Sequence, residues 1–484
     1  MKILVIQLAK MGDIIQSFPL IRALKKNDPN TEICLLHSEL FSETLDLINE
    51  VKAFAVNLDL LAIEKDGILS LAEGTYTAHI LHKINSQHFD MIINLNSSQL
   101  SAGITALADC PVKRGFSSGY EADEKWLSYI LSFMKTRHLA SFNLVDIFLR
   151  IGQGPELYSS RLLRSEDNLS SENLTGNKIT SQSTLTKERN YRLPQICLQL
   201  GSRNSKRHPL MKDYVAIANR LIANGYQIIL TGVSSELPLY HAFITQIDKP
   251  DAIINKIGET SLSELYHILN ESEFLISSDT GTMHLASLTK CRIFAIFMGC
   301  AFSYETLAYK SDTVVFFPNH DQISCYPCSE FSPCPNHFIC KELQTEIVTD
   351  YILMQKPHES LYQCIYDSMG QYLVPIQKRN ISEYQFYALI WRFVSAEYFY
   401  HIRLNLSDYS LYFHIDPQFS VSCIKQIKRE ISLAKLTKSE NTDISSLPDN
   451  YHFLNPLLIY NLFYPEFEKL LFVLEETISR IMTD

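Results

Sequence analysis

The chain alternates short β-branched runs with amphipathic helical patterns, and it does so twice. This restricts its fold more than any other feature. The runs "KILVIQLA", "EICLLHS" and "DMIINLN" are separated by helical stretches, the first of them "DIIQSFPLIRALKK". Strands recurring in this way build βαβ units and a parallel sheet. The alternation restarts at "QICLQLGS", passes through "KDYVAIANRLIAN", "QIILTGVS", "SLSELYHILN", "FLISSD" and "TMHLASL", and ends at "RIFAIFMG". The fold class expected is therefore α/β, with two doubly wound, Rossmann-like domains at 1–190 and 191–345. The stretch 161–189, rich in Ser, Thr, Asn and charge, has no sustained apolar period and reads as a polar linker. From 346 to 484 the pattern turns helical and aromatic, as in "SEYQFYALIWRFVSAEYFYHIRL", where Ser382 and Gln385 have capping-box spacing. Tyr384, Tyr387, Trp391 and Tyr398 form a stripe at helical spacing that reads as core packing.

Composition narrows the partners. With 484 residues, 46% of them hydrophobic, the chain can bury two sizeable cores. A formal net charge of −10 and the lack of a long basic run argue against a nucleic-acid binder. The apolar opening is too short for a signal segment and leads at once into "KMGD", so it reads as a first strand. No stretch approaches the ~20 apolar residues that cross a bilayer, so membrane contact is expected to be at most peripheral. Eleven cysteines, most of them scattered in ordinary contexts, fit a reducing compartment, and a cytoplasmic protein is expected.

Two such domains are expected to face a cleft at the carboxyl ends of their sheets, where folds of this kind bind ligands. Three clusters fall at strand ends. In "SSDTGTMHLA", Gly281 permits a tight strand-to-helix turn. The helix start near Thr282 offers free N–H groups, and Thr280, Thr282 and His284 add donors suited to a phosphate. An ordinary capped helix start is the alternative. In "LGSRNSKRHP", Lys206 and Arg207 bring positive charge to a strand end, suiting a diphosphate that gains charge as it leaves; a solvated loop is the alternative. In "LAKMGDIIQSFP", Asp13 is either a helix N-cap or a general base.

Together these clusters resemble glycosyltransferase family 9, the ADP-heptose:lipopolysaccharide heptosyltransferases and their relatives. The family's M-G-D, Lys-Arg-x-Pro and D-T-G-x-x-H-L-A motifs stand here as Met11-Gly12-Asp13, Lys206-Arg207-His208-Pro209 and Asp279 to Ala286. Asp90, ahead of a strand, and Arg114-Gly115-Phe116 at the end of "FDMIINLNSSQLSAGITALADCPVKRGF" fit the first-domain pattern, so the resemblance runs from Met1 to about Thr345. It implies a GT-B fold and an inverting, metal-independent transfer of a sugar, by family default heptose, from a nucleotide-diphosphate donor such as ADP-heptose. The acceptor would be a hydroxyl of a surface glycan or glycolipid such as lipopolysaccharide core. Asp13 and Lys206 would be catalytic and Gly12 would lie on the acceptor side. Ser202, Arg207, Glu236, Asp279, Thr280, Gly281, Thr282 and His284 would hold the donor, with Glu236 at the ribose hydroxyls. His208 stands where many members carry a bulky aromatic, and "CAFSYE" replaces the usual turn after "RIFAIFMG". A non-catalytic GT-B binding module, a nucleotide-sugar epimerase and a transferase acting on a protein are the rival readings.

Cys325, Cys328, Cys334 and Cys340 form a C-x2-C-x5-C-x5-C array with three prolines among them. Four thiols so close suit an all-thiolate structural site for zinc or iron, with reduced thiols or disulfides as the alternative. No cofactor is expected for catalysis. The region 346–484 names no chemistry; it is expected to dock on the α/β domains or to join subunits in a homo-oligomer working at the inner face of the membrane.

Overall fold

The computed structural model describes residues 1–65, 68–118, 121–122, 127, 139–153, 193–317, 326, 328, 330, 333–334, 336–400, 404, 406–439 and 467–481. The linker expected at 161–189 lies outside the described residues. The chain forms two compact units. One is Met1–Ser159 with Asp367–Gly370 and Lys378–Asp484; the other is Ser160–Tyr366 with Gln371–Gln377.

In the first unit, β1 (Lys2–Ile6), β2 (Glu32–Ser38) and β3 (Lys52–Val56) run outward from the centre of a sheet. A separate hairpin, β4 (Ala62–Lys65) and β5 (Ile68–Leu71), follows. Then β6 (Met91–Asn94), β7 (Val112–Ser118) and β8 (Glu121–Ala122) extend the sheet the other way, in the order β3-β2-β1-β6-β7-β8. The apolar run at the N-terminus is continuous because β1 is central and covered on both faces: Ile3, Leu4, Val5 and Ile6 are all fully buried. Leu4 and Ile6 pack with Ile80, Ile84, Leu100 and Ile104 of the helices Thr75–Asn85 and Gln99–Leu107. Asp90 accepts the Lys2 N–H at the start of β1 (2.6 Å), and Gly115 must be glycine on two counts, its φ of +96° and the 2.0 Å at which a Cβ would stand from the Asn94 carbonyl oxygen.

In the second unit, β9 (Gln195–Gln199), β10 (Gln227–Thr231), β11 (Ile253–Asn255), β12 (Phe274–Ser277), β13 (Arg292–Ile296), β14 (Val314–Phe316), β15 (Leu361–Asp367) and β16 (Gly370–Pro375) form one sheet. Its order is β11-β10-β9-β12-β13-β14-β15-β16. The pairings from β11 to β14 are parallel, and β15 joins β14 antiparallel. Its core gathers Ile196 and Leu198 with Ile217 and Leu221 of the helix Met211–Ala223, and with Val348 and Ile352 of the helix Thr345–Met354.

The expected boundary at 345 therefore needs correction. Residues 346–366 and 371–377 belong to the second unit, where "LYQCIYD" and "GQYLVP" cover the open edge of β14. Beyond the helix Thr345–Met354 of the second unit, the described C-terminal helices are Glu383–Tyr400, Leu406–Tyr409, Pro417–Ser439 and Phe467–Ile481, and these belong to the first unit. There Tyr387 and Trp391 of the stripe are buried while Tyr398 is half-buried, and Ser382 and Gln385 form the expected reciprocal cap. Arg392, fully buried, pairs with Asp367 (2.6 Å) and donates to the Gly370 carbonyl (3.0 Å). The turn Asp367–Gly370 is thereby fixed in the first unit.

Candidate functional site

Each sheet reverses its direction of growth once, and such a switch point opens a crevice at the strands' carboxyl ends. In the first unit it lies between β1 and β6, where Ile6 pairs with Asn94. The loop leaving β1 is held there by neutral side chains. The Asn96 Oδ1 accepts the Leu8 N–H (2.5 Å), Asn96 donates its amide to the Gln7 Oε1, and the same oxygen lies 3.4 Å from the Ala9 nitrogen. The helix Met11–Asn27 follows, with Lys10 at its N-cap, so Asp13 is the third helical residue and not the cap. This corrects the N-cap alternative: the Asp13 carboxylate reaches back to accept the Lys10 N–H (3.2 Å). Asp13 is half-buried, and Gly12 is buried beside it in the first helical turn.

In the second unit the switch lies between β9 and β12, where Leu198 pairs with Ile276. Both chains then turn into the quoted clusters. Thr280 is the N-cap of the short helix Gly281–Ala286. Its hydroxyl is 3.4 Å from the Met283 nitrogen it caps, 2.9 Å from Ser277 Oγ and 3.3 Å from Gln199 Oε1. Thr280 thus holds β12 to β9. Thr282 and His284 are buried within that helix. Asp279 joins the two motifs, with one carboxylate oxygen 3.0 Å from Arg207 Nη1 and the other 4.0 Å from His284 Nε2. Burial opposes the Arg207 charge, but Asp279, Cys300 and Glu330 more than offset it and raise its pKa above the usual arginine value.

The Lys206–Arg207 loop is itself a 3-10 turn, Ser205–Arg207, capped by Asn204, whose Oδ1 accepts the Lys206 N–H (3.0 Å). Ser202 donates to the Asn204 carbonyl (2.7 Å). Lys206 Nζ donates to the Glu330 carbonyl (3.1 Å). Gly299, at φ +60°, approaches so closely that a Cβ there would lie 2.3 Å from the Lys206 carbonyl oxygen. Glu236 lies across two glycines: a Cβ on Gly201 or on Gly232 would stand 2.1 or 2.0 Å from its carboxylate oxygens. Burial raises the Glu236 pKa, opposed by its hydrogen bonds with Val233 and Gln199. His208, at the bulky-aromatic position, turns its Nδ1 to the Pro209 carbonyl (2.9 Å), and burial lowers its pKa.

Of the cysteine array, Cys325 lies outside the described residues. Cys328, Cys334 and Cys340 line one pocket with Lys206, Gly299, Tyr326 and Phe338. Among the described residues no group of three or more His, Cys, Asp or Glu is arranged to hold a metal ion. Sequence reasoning passed over Asn96, Asn204, Gln199 and Glu330. Asn204 stood inside a quoted motif, with cap chemistry as its signal. Glu330 carried none, since its partners are more than a hundred residues away in sequence.

Residues 77–316 match the sequence model of glycosyltransferase family 9 (heptosyltransferase). Lipooligosaccharide heptosyltransferase 2 of Haemophilus influenzae is 25% identical over 312 residues, covering 61% of this chain and 83% of that protein. The ADP-heptose lps heptosyltransferase II structure from E. coli, 18% identical, covers 73% of this chain and 97% of its own, with a TM-score of 0.52. E. coli heptosyltransferase WaaC, solved with ADP, is 15% identical, with a TM-score of 0.47, and the match covers 65% of this chain and 92% of that one. On these matches the chain is a glycosyltransferase, heptosyltransferase-like and of GT-B type, and its residues 77–316 carry the sequence pattern of family 9.

Proposed function

We propose that this enzyme transfers heptose from ADP-heptose to a hydroxyl of a lipopolysaccharide-type acceptor, with inversion and without a catalytic metal. The observation that carries this reading is the gathering of Arg207, Asp279, His284, Lys206 and Glu236 at one switch point. Donor recognition then divides by chemistry. Glu236 accepts from the ribose hydroxyls. Lys206, Arg207, Thr282, His284 and the Gly281 turn hold the diphosphate, with Ser202 at its margin. Asp279 would repel phosphate; it serves instead by orienting Arg207 and His284. Thr280 acts through the helix it caps more than by its hydroxyl.

In the transfer step the acceptor oxygen attacks the anomeric carbon from the face opposite the diphosphate, and the bond from that carbon to the phosphate oxygen breaks. Asp13 takes the proton of the attacking hydroxyl, and ADP leaves with its new charge offset by Lys206 and Arg207. Gly12 leaves room for the acceptor beside Asp13. For the four cysteines the proposal is a structural zinc or iron with no part in the transfer, whose binding would have to draw Cys328, Cys334 and Cys340 together with Cys325; elemental analysis finding no bound metal rejects it. Among the described residues no helix is long and apolar enough to cross a membrane. We place the enzyme at the cytoplasmic face of the membrane, as a homo-oligomer in contact through its C-terminal helices.

The test is incubation with ADP-heptose, with and without a lipopolysaccharide-core acceptor, in the presence of EDTA. ADP release that requires the acceptor, and a heptosylated product of inverted anomeric configuration, are expected. Transfer only to protein, epimerised nucleotide-sugar, or binding without turnover would replace the reading with one of its rivals.

A further inference from the structure

We infer that Glu330 is a positioning residue for the diphosphate-binding loop, so that the cysteine-rich segment is part of the donor site. The inference rests on the proposed donor role of that loop. Glu330 meets three of its residues. Its Oε1 accepts from Asn204 Nδ2 (3.3 Å), its Oε2 lies 3.6 Å from Arg207 Nη2, and its backbone carbonyl accepts from Lys206 Nζ (3.1 Å). The same segment is tied down a second time, where the Cys328 N–H donates to the Gly299 carbonyl (3.0 Å), beside the close approach of Gly299 to Lys206.

These contacts divide the work. Asn204 caps the 3-10 turn that carries both cations, and Glu330 fixes the Asn204 amide from outside that turn. Arg207 is held from two sides, by Asp279 from the strand end and by Glu330 from the cysteine-rich segment. A short loop with two adjacent cations would otherwise splay by mutual repulsion and spend ordering entropy each time a diphosphate bound. Glu330 is only partly buried, so the effect is expected through geometry and not through a strong isolated ion pair.

The experiment compares wild type, Glu330→Ala and Glu330→Gln in two readouts. Hydrogen exchange in the nucleotide-free protein should show the loop amides at 204–208 exchanging faster in Glu330→Ala, with Glu330→Gln restoring protection because its amide oxygen still accepts from Asn204. ADP titration by calorimetry should show affinity falling roughly tenfold in Glu330→Ala, the size of a lost hydrogen bond to a charged group, with most recovered in Glu330→Gln. The KM for acceptor should stay as in wild type; a merely structural role would move both substrates' constants together. Unchanged loop exchange in Glu330→Ala, or unchanged or tighter ADP binding, overturns the inference. If wild type itself binds no ADP, the proposed function fails instead, and loop exchange still decides for or against Glu330.

Discussion

The two switch points are built alike and furnished differently. At the first, one loop leaves β1, secured by Gln7 and Asn96, and presents a single half-buried carboxylate, Asp13. At the second, segments around Gly201, Glu236, Asp279, Gly299 and Glu330 converge, and Arg207 is paired with Asp279 and Glu330 before any ligand arrives. The difference teaches how the work is shared. A bond-making proton transfer needs one well-placed group and fails steeply without it, whereas holding a nucleotide diphosphate spreads over many contacts and fails by degrees.

The largest effect expected is at Asp13. In Asp13→Asn the amide oxygen can still accept the Lys10 N–H, so the helix start survives. On the proposed mechanism the general base is lost, and transfer should slow at least ~100-fold with ADP affinity unchanged. Steady-state rates at saturating substrates, with ADP calorimetry, check this; retention of most of the rate would break the comparison by leaving Asp13 only its structural role.

Lys206→Ala should act on both quantities but less steeply, weakening ADP binding about tenfold and lowering kcat by a similar factor, because in the proposed mechanism its charge meets the diphosphate before and during departure. A loss confined to KM would mean that Lys206 binds the diphosphate without assisting its departure, and would sharpen the contrast with Asp13.

The smallest effect concerns Glu236. In Gly201→Ala the new methyl would displace the Glu236 carboxylate, which can swing aside, so stability should change little while ADP affinity falls about threefold to fivefold. Inorganic pyrophosphate binding should not change, since the cations are untouched; a parallel loss of pyrophosphate would show that the whole loop had moved. Because burial raises the Glu236 pKa, the part of ADP affinity owed to its carboxylate should be lost on acidification at a higher pH than for an ordinary glutamate. Titrating ADP affinity against pH in wild type and Glu236→Gln reads this directly.

The local signals were all in the sequence. The alternation of apolar runs gave the two α/β units because a central parallel strand must be apolar on both faces, as β1 is. The motifs at strand ends were legible because a strand-to-helix turn demands small or capping residues whatever the rest of the chain does. Asp13 was named there for its cap and base chemistry, Arg207 for its charge, and Asp279 through the family resemblance. The sequence did not reveal that the strands Leu361–Asp367 and Gly370–Pro375 would complete the second sheet, since an edge strand is chosen by the open edge it covers. Nor could it pair Arg207 with Asp279 and Glu330, or set Glu236 against Gly201 and Gly232. Those contacts join residues far apart in the chain, and only the folded sheet, by fixing which strand ends are neighbours, decided which charges would meet.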